Sequence, residues 1–136
     1  DGIVTGAIAS NYQKERVDGI CRELNLKSIA PLWHRDQFEL LQEIVELKFE
    51  VIIIGVYAHG FNEEWLGRKI DANMIQDLLR LNKQYGVSLV GEGGEYETLV
   101  LDAPFYRKRI EVLDAKKIWK GQSGFLQISE ARLGKK

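Results

Sequence analysis

Cysteine, histidine and long apolar runs are scarce in this chain, and each shortage closes off a class of function. Cys21 is the only cysteine among 136 residues. No internal disulfide or Cys-x-x-Cys ligand pair can form, and a reducing cytoplasm is the compartment that fits. The two histidines, His34 and His59, have no partner at metal-ligand spacing, which argues against a zinc site. No apolar run reaches the roughly 20 residues needed to span a bilayer as a helix. Residues 1–10 lack the basic start and long apolar core of a signal peptide. The chain opens on Asp1 and runs at once into the strand-like GIVTGAIA, as an excised piece of a longer protein would. Formal net charge is only -1, so there is no overall attraction to nucleic acid or to an anionic membrane.

What is present suffices for one core: 45% of the residues are apolar, at a common single-domain length. Charge is unevenly spread. Residues 1–106 carry 10 Lys and Arg against 17 Asp and Glu, and residues 107–136 carry 9 against 3. That basic end is either a solvated, partly self-neutralising surface or a face for an anionic partner.

Ser10 and Gln13 have capping-box spacing, and Val17, Ile20, Cys21 and Leu24 then share a face, which predicts a helix over 10–24. Phe38, Leu41, Ile44 and Val45 predict a second from about 35 to 48. VIIIGVYA, 51–58, is β-branched without alternation, as in a parallel strand covered on both faces. Asp71 as N-cap, an apolar stripe from Met74 to Tyr85 and a stop at Gly86 predict a third helix, leading into a short strand at 87–90. This alternation argues for an α/β layered fold. After Pro104 the apolar and polar residues alternate and are broken by GQSG, which predicts an antiparallel strand pair with one wet face.

The densest chemistry lies in GEGGEYET, residues 91–98. At strand spacing Glu95 and Glu97 would share a face, with Tyr96 and Thr98 on the other. Glu92 joins the two carboxylates if Gly93 and Gly94 fold the chain back. Like charges so placed call for a compensating cation. The string is either a surface turn with solvated glutamates or the floor of a site. It is no phosphate loop, having neither a Lys-Ser/Thr end nor GxGxxG opening a helix. Weaker candidates are Tyr12 and Arg16 beside the Ser10/Gln13 cap, Trp33 beside Arg35, and Arg68 ahead of the third helix. Each also has a structural reading, which comes first for Trp33 as a core residue and for Tyr12 and Arg16, while Arg68 is equally an anion contact or a rim charge.

Three strings together resemble the diphthine–ammonia ligase family of the PP-loop ATP pyrophosphatases: GAIASNYQKERVDGICRELNLKSIAPLWHRDQFELL, LGRKID and above all YGVSLVGEGGEYETLVLDAPFY. The likeness covers about residues 1–112 and is closest to the archaeal type. The resemblance implies a HUP-like layered α/β nucleotide-binding domain, of which residues 1–58 are the remainder. A smaller α+β domain bearing GEGGEYET and the antiparallel tail, 59–136, follows it. It implies ATP with Mg²⁺, and amidation of diphthine on translation elongation factor 2 with ammonia through an acyl-adenylate, releasing AMP and pyrophosphate. The family's PP-loop, Ser-Gly-Gly-x-Asp-Ser, occurs nowhere in these 136 residues, so the chain alone is not expected to catalyse.

Carried onto this sequence, the resemblance makes Glu92, Glu95 and Glu97 the catalytic candidates. Gly93, Gly94, Tyr96, Thr98, Trp33, Arg35 and Arg68 are the substrate-binding candidates, and Ser10, Tyr12, Gln13 and Arg16 the nucleotide-binding ones. Diphthine carries a trimethylammonium group, which suits aromatic faces (Tyr96, Trp33 or Tyr57) beside carboxylates. Ammonium must lose a proton before it attacks, a task for Glu95 or Glu97. No membrane or direct nucleic-acid partner is expected, and a homo-oligomer is left open. Two rival readings stand: a non-catalytic half that recognises the protein substrate, and an ATP pyrophosphatase that amidates a small carboxylic acid.

Overall fold

The structure, a computed structural model, describes all 136 residues. Its first unit is a β-α-β crossover: β1 (Gly2–Val4), α1 (Asn11–Glu23) and β2 (Lys27–Ile29), with β1 and β2 paired in parallel. Ser10 caps α1 by accepting from the amide of Gln13 at 3.3 Å. Of the apolar face of α1 only Cys21 is buried, while Ile20 and Leu24 are exposed, as are Ile3, Val4 and Ile29.

α2 (Gln37–Glu46), capped by Asp36, leads into β3 (Glu50–Val56). A short 3-10 turn (Glu63–Trp65) and α3 (Ala72–Tyr85) follow, α3 being capped by Asp71 and ended by Gly86 in the left-handed conformation. The remaining strands are β4 (Tyr96–Asp102), β5 (Arg109–Lys120) and β6 (Ser123–Gly134). With β3 they form a second sheet in the order β4-β3-β6-β5. The fold is thus a mixed α/β arrangement with two sheets.

Two sequence expectations are corrected here. β3 is covered on both faces, since Val51, Ile52 and Ile53 are all buried, but it is antiparallel to both β4 and β6. An unbroken apolar run reports double burial and says nothing of strand direction. Only Gly55 and Val56 reach β6; nearer its start the same edge of β3 bonds the 67–70 segment, with Ile53 N donating to Arg68 O and Ile70 N to Val51 O. All the strands that β3 bonds lie beyond residue 58.

The short strand expected at 87–90 does not form. Val87 and Leu89 are buried, but the segment's backbone groups are claimed by side chains. Asn82 donates to Val87 O, Ser88 N donates to Glu95, Leu89 N to Gln37, and Tyr96 donates to Leu89 O. A segment whose polar groups are satisfied in this way has none left for a ladder.

The core lies where α2, α3 and β3 meet, with Leu41, Ile53, Val56, Leu66, Met74 and Leu78 at its centre. The basic tail is the β5–β6 ribbon, turning at Gly121 and Gln122 as GQSG suggested. Part of its charge is answered internally, Arg109 by Glu50 at 2.6 Å and Lys136 by Asp102 at 3.0 Å.

Candidate functional site

GEGGEYET is a tight turn leading into a strand. Gly94 N donates to Gly91 O at 3.0 Å, and β4 begins at Tyr96. The turn faces the entry to α1 and the first turn of α2 across a cleft of about 370 Å³ lined by Ala9, Ser10, Gln37, Ser88, Glu92, Gly93 and Glu95.

The three glutamates have separate tasks. Glu92 accepts from the amides of Ile8 and Ala9, both at 2.6 Å, and so ties the turn to the start of α1, 83 and 84 positions away in the chain. Glu95 accepts from Ser88 N at 3.0 Å through one oxygen, while its other oxygen is buried with no partner. Glu97, on β4 opposite Gly55, is exposed and accepts from the Tyr57 hydroxyl at 3.2 Å. Glu95 lies just ahead of β4, so the strand alternation that would set it beside Glu97 does not operate. The three carboxylates do not draw together as a metal-holding group.

Gly93 makes the Glu95 arrangement possible. A Cβ at this position would stand 2.8 Å and 3.0 Å from the two Glu95 oxygens, so a larger residue here would push the Glu95 carboxylate aside. An unpaired buried carboxylate oxygen carries a desolvation penalty on the order of 1–3 kcal/mol or more, which a donor entering the cleft would relieve.

Tyr96 corrects another expectation. It is buried, packs against Phe61, and donates its hydroxyl to Leu89 O at 2.5 Å. It offers no open face to a cationic group, because the first residue of β4 points into the core. Burial first, then the charge of Glu95, pushes its phenol far above the ordinary tyrosine value. Tyr57 is the exposed aromatic of the pair. Its phenol is also raised, by desolvation and by the charge and hydrogen bond of Glu97.

Both parts of the chain match known domain models: residues 36–133 the "Diphthamide synthase C-terminal domain" and residues 1–28 the "Diphthamide synthase N-terminal domain". The chain belongs to the diphthamide synthase family. Proteins named diphthine–ammonia ligase are similar to it throughout. That of Bos taurus is 42% identical over 133 residues, 97% of this chain and 49% of that protein. That of Homo sapiens is 40% identical over 133 residues, with the same coverages of 97% and 49%. That of Schizosaccharomyces pombe is 45% identical over 124 residues, 91% of this chain and 20% of its own length. The chain thus spans about half the length of these mammalian relatives.

Within this member of the diphthamide synthase family the remaining candidates fall into groups. Ser10 lines the cleft with Glu92, Gly93 and Glu95, and Gln13 is bound to it as the capped amide. Tyr12 and Arg16 pair with each other on the outer side of α1 at 3.1 Å. Trp33 stacks on His34 and lies under Lys14. Arg35 pairs with Glu43 at 2.8 Å beside an apolar hollow lined by Ile8, Leu32 and Leu40. Arg68 is bound to Asp77 at 2.5 Å and lies over Trp65. Neither Trp33, Arg35 nor Arg68 lines the cleft, and Gly94 and Thr98 are exposed beside it in sequence without lining it.

Gln37 and Ser88 are lining residues that the sequence reading missed. Ser88 is the one polar residue inside the run 87–90, and Gln37 directly follows the Asp36 cap. A polar side chain interrupting an apolar run was the available signal.

Proposed function

We propose that this chain forms the substrate-side portion of an ATP-dependent diphthine–ammonia ligase, with the chemistry centred on the cleft beneath the glycine turn. In this reading the carboxylate of diphthine on elongation factor 2 attacks the α-phosphate of ATP, and pyrophosphate leaves. Ammonium gives up a proton, the nitrogen forms a C–N bond at the acyl carbon, and AMP departs. Glu95 is the anchor for ammonium and the acceptor of its proton. The observation that carries this is Glu95 itself, which lines a polar cleft and has one buried oxygen without a donor.

Glu92 takes a positioning part, because both its oxygens are spent on Ile8 and Ala9. Glu97 with Tyr57 is the exposed carboxylate and aromatic face suited to the trimethylammonium group. Ser10 at the head of α1 is the residue nearest to a nucleotide role, and ATP would bring Mg²⁺ to its phosphates. Such phosphates need backbone donors of the PP-loop kind, and the reading places that loop outside these 136 residues. The parallel β1-α1-β2 unit supports a HUP-like nucleotide domain: its exposed Ile3, Val4, Ile20, Leu24 and Ile29 are the surface such a layer would cover. No helix is long and apolar enough to cross a membrane.

The test is single-turnover amidation by the full-length protein. Glu95→Gln should reduce the amidation rate by about 100-fold, the usual scale for a lost general base, with ATP binding intact. Glu95→Gln protein with wild-type turnover would refute the assignment. Unchanged turnover with weakened factor binding would instead favour recognition as the role of this half.

A further inference from the structure

We infer that Gln37 and Glu95 together form a two-point reader for a planar carbonyl group bearing nitrogen, that is, a primary carboxamide. This deepens the ligase reading and rests on it for the identity of the natural group, which there is the newly formed amide.

The geometry begins with Ser88. Its Oγ donates to Gln37 Oε1 at 3.2 Å, and its amide donates to Glu95 Oε1 at 3.0 Å. Both side chains are thus fastened to one residue, and both residues line one cleft. The orientation of the Gln37 amide is fixed by a second bond, from Leu89 N at 3.0 Å. A backbone N–H can only donate, so the atom facing it is the oxygen, and the NH₂ group is turned away from that contact. The NH₂ group has no acceptor within the chain, whereas Glu95 Oε2 has no donor.

One free donor and one free acceptor, on two residues that line the same cleft, match a group with the opposite pair. A carboxamide supplies both: its oxygen accepts from Gln37 Nε2, and its nitrogen donates to Glu95 Oε2. A carboxylate supplies only acceptors and would face Glu95 unfavourably, and an ester has no N–H. The hydroxyl of Ser10 already accepts from Gln13 N, which leaves its hydrogen for the same carbonyl oxygen. Gly93 lies over the Glu95 carboxylate, so the Gly93–Gly94 turn must shift for the nitrogen to reach Oε2. Two successive glycines make that shift inexpensive.

The experiment is a titration of the isotope-labelled full-length protein, without ATP or factor, followed by amide NMR. The probes are acetamide, N,N-dimethylacetamide and acetate, all small enough to bind only in the millimolar range. Acetamide should shift the Gln37 side-chain NH₂ and the Ser88 amide in a saturable way. Dimethylacetamide and acetate should bind about ten-fold more weakly or less. Gln37→Glu retains the acceptor for Ser88 and Leu89 but removes the donor, and should weaken acetamide by a similar factor. Equal response to acetamide and dimethylacetamide in the wild-type protein, or no saturable response to acetamide, would overturn the inference even if the variant does not fold. Because neither ATP nor diphthine is involved, its failure leaves the ligase reading standing. Failure of amidation with acetamide binding intact would have the opposite meaning.

Discussion

The phenol of Tyr96 donates to the backbone carbonyl of Leu89 at 2.5 Å, and both residues are buried. This one bond spans the glycine turn from inside and sets the distance between its two ends. Tyr96→Phe leaves the Leu89 carbonyl buried without a partner, at a cost of about 1–3 kcal/mol. Thermal unfolding should show a midpoint lower by several degrees. An unchanged midpoint would mean that the turn is held by other contacts.

Glu92 acts on the outside of the same turn. Glu92→Gln places an NH₂ group against one of the two amides of Ile8 and Ala9, and a charge-assisted bond is lost at about 1–2 kcal/mol. Hydrogen exchange at Ile8 and Ala9 should accelerate several-fold, with protection of the β3 amides unchanged at the same pH. Exchange no faster than in the parent would show that the link is not formed in solution.

Tyr57 and Glu97 give the site an alkaline signature. A raised phenol pKa means that the folded state holds its proton more tightly than the unfolded chain does. The stability tied to it is therefore full below the ordinary value near 10 and falls as pH rises from there toward the folded-state pKa. The shift at Tyr96 acts in the same direction. In a spectrophotometric titration, Glu97→Gln should bring the Tyr57 transition back toward free tyrosine while leaving that of Tyr96 in place. A Tyr57 transition indifferent to Glu97 would sever the pair.

The acid side is governed by Asp18, which joins α1 to β2. Hydrogen bonds from Lys14 and from Ser28, both at 2.6 Å, hold its carboxyl below the usual carboxylate value. The associated stability is present above the unfolded value near 3.8 and is lost as pH falls through the lower folded-state one. Ser28→Ala should raise the Asp18 transition seen by carboxyl NMR, though less than Lys14→Met does.

Several parts of this architecture could be read locally. Ser10, Asp71 and Gly86 are strong start and stop signals because each acts on backbone groups within four residues of itself, and all three work at the expected helix ends. The direction of β3 could not be read in this way, since strand orientation depends on β4 partners 40 or more residues away. GEGGEYET stood out by composition, but the division of labour among its glutamates was invisible. Glu92 answers to residues 8 and 9, Glu95 to residue 88, and Glu97 to residue 57. Gln37 was silent for the same reason: its role depends on Ser88, 51 positions along the chain.

By itself the sequence determined the boundaries of the first and third helices, the antiparallel tail, the absence of an internal disulfide and the place where carboxylates concentrate. These follow from propensity, periodicity and valence, which act over a few residues. Only the tertiary structure decided that Tyr96 belongs to the core, that Tyr57 is the exposed aromatic, and that one oxygen of Glu95 lacks a partner beneath Gly93. Burial and hydrogen-bond satisfaction are properties of segments brought together, and no local pattern encodes which distant donor reaches a given acceptor.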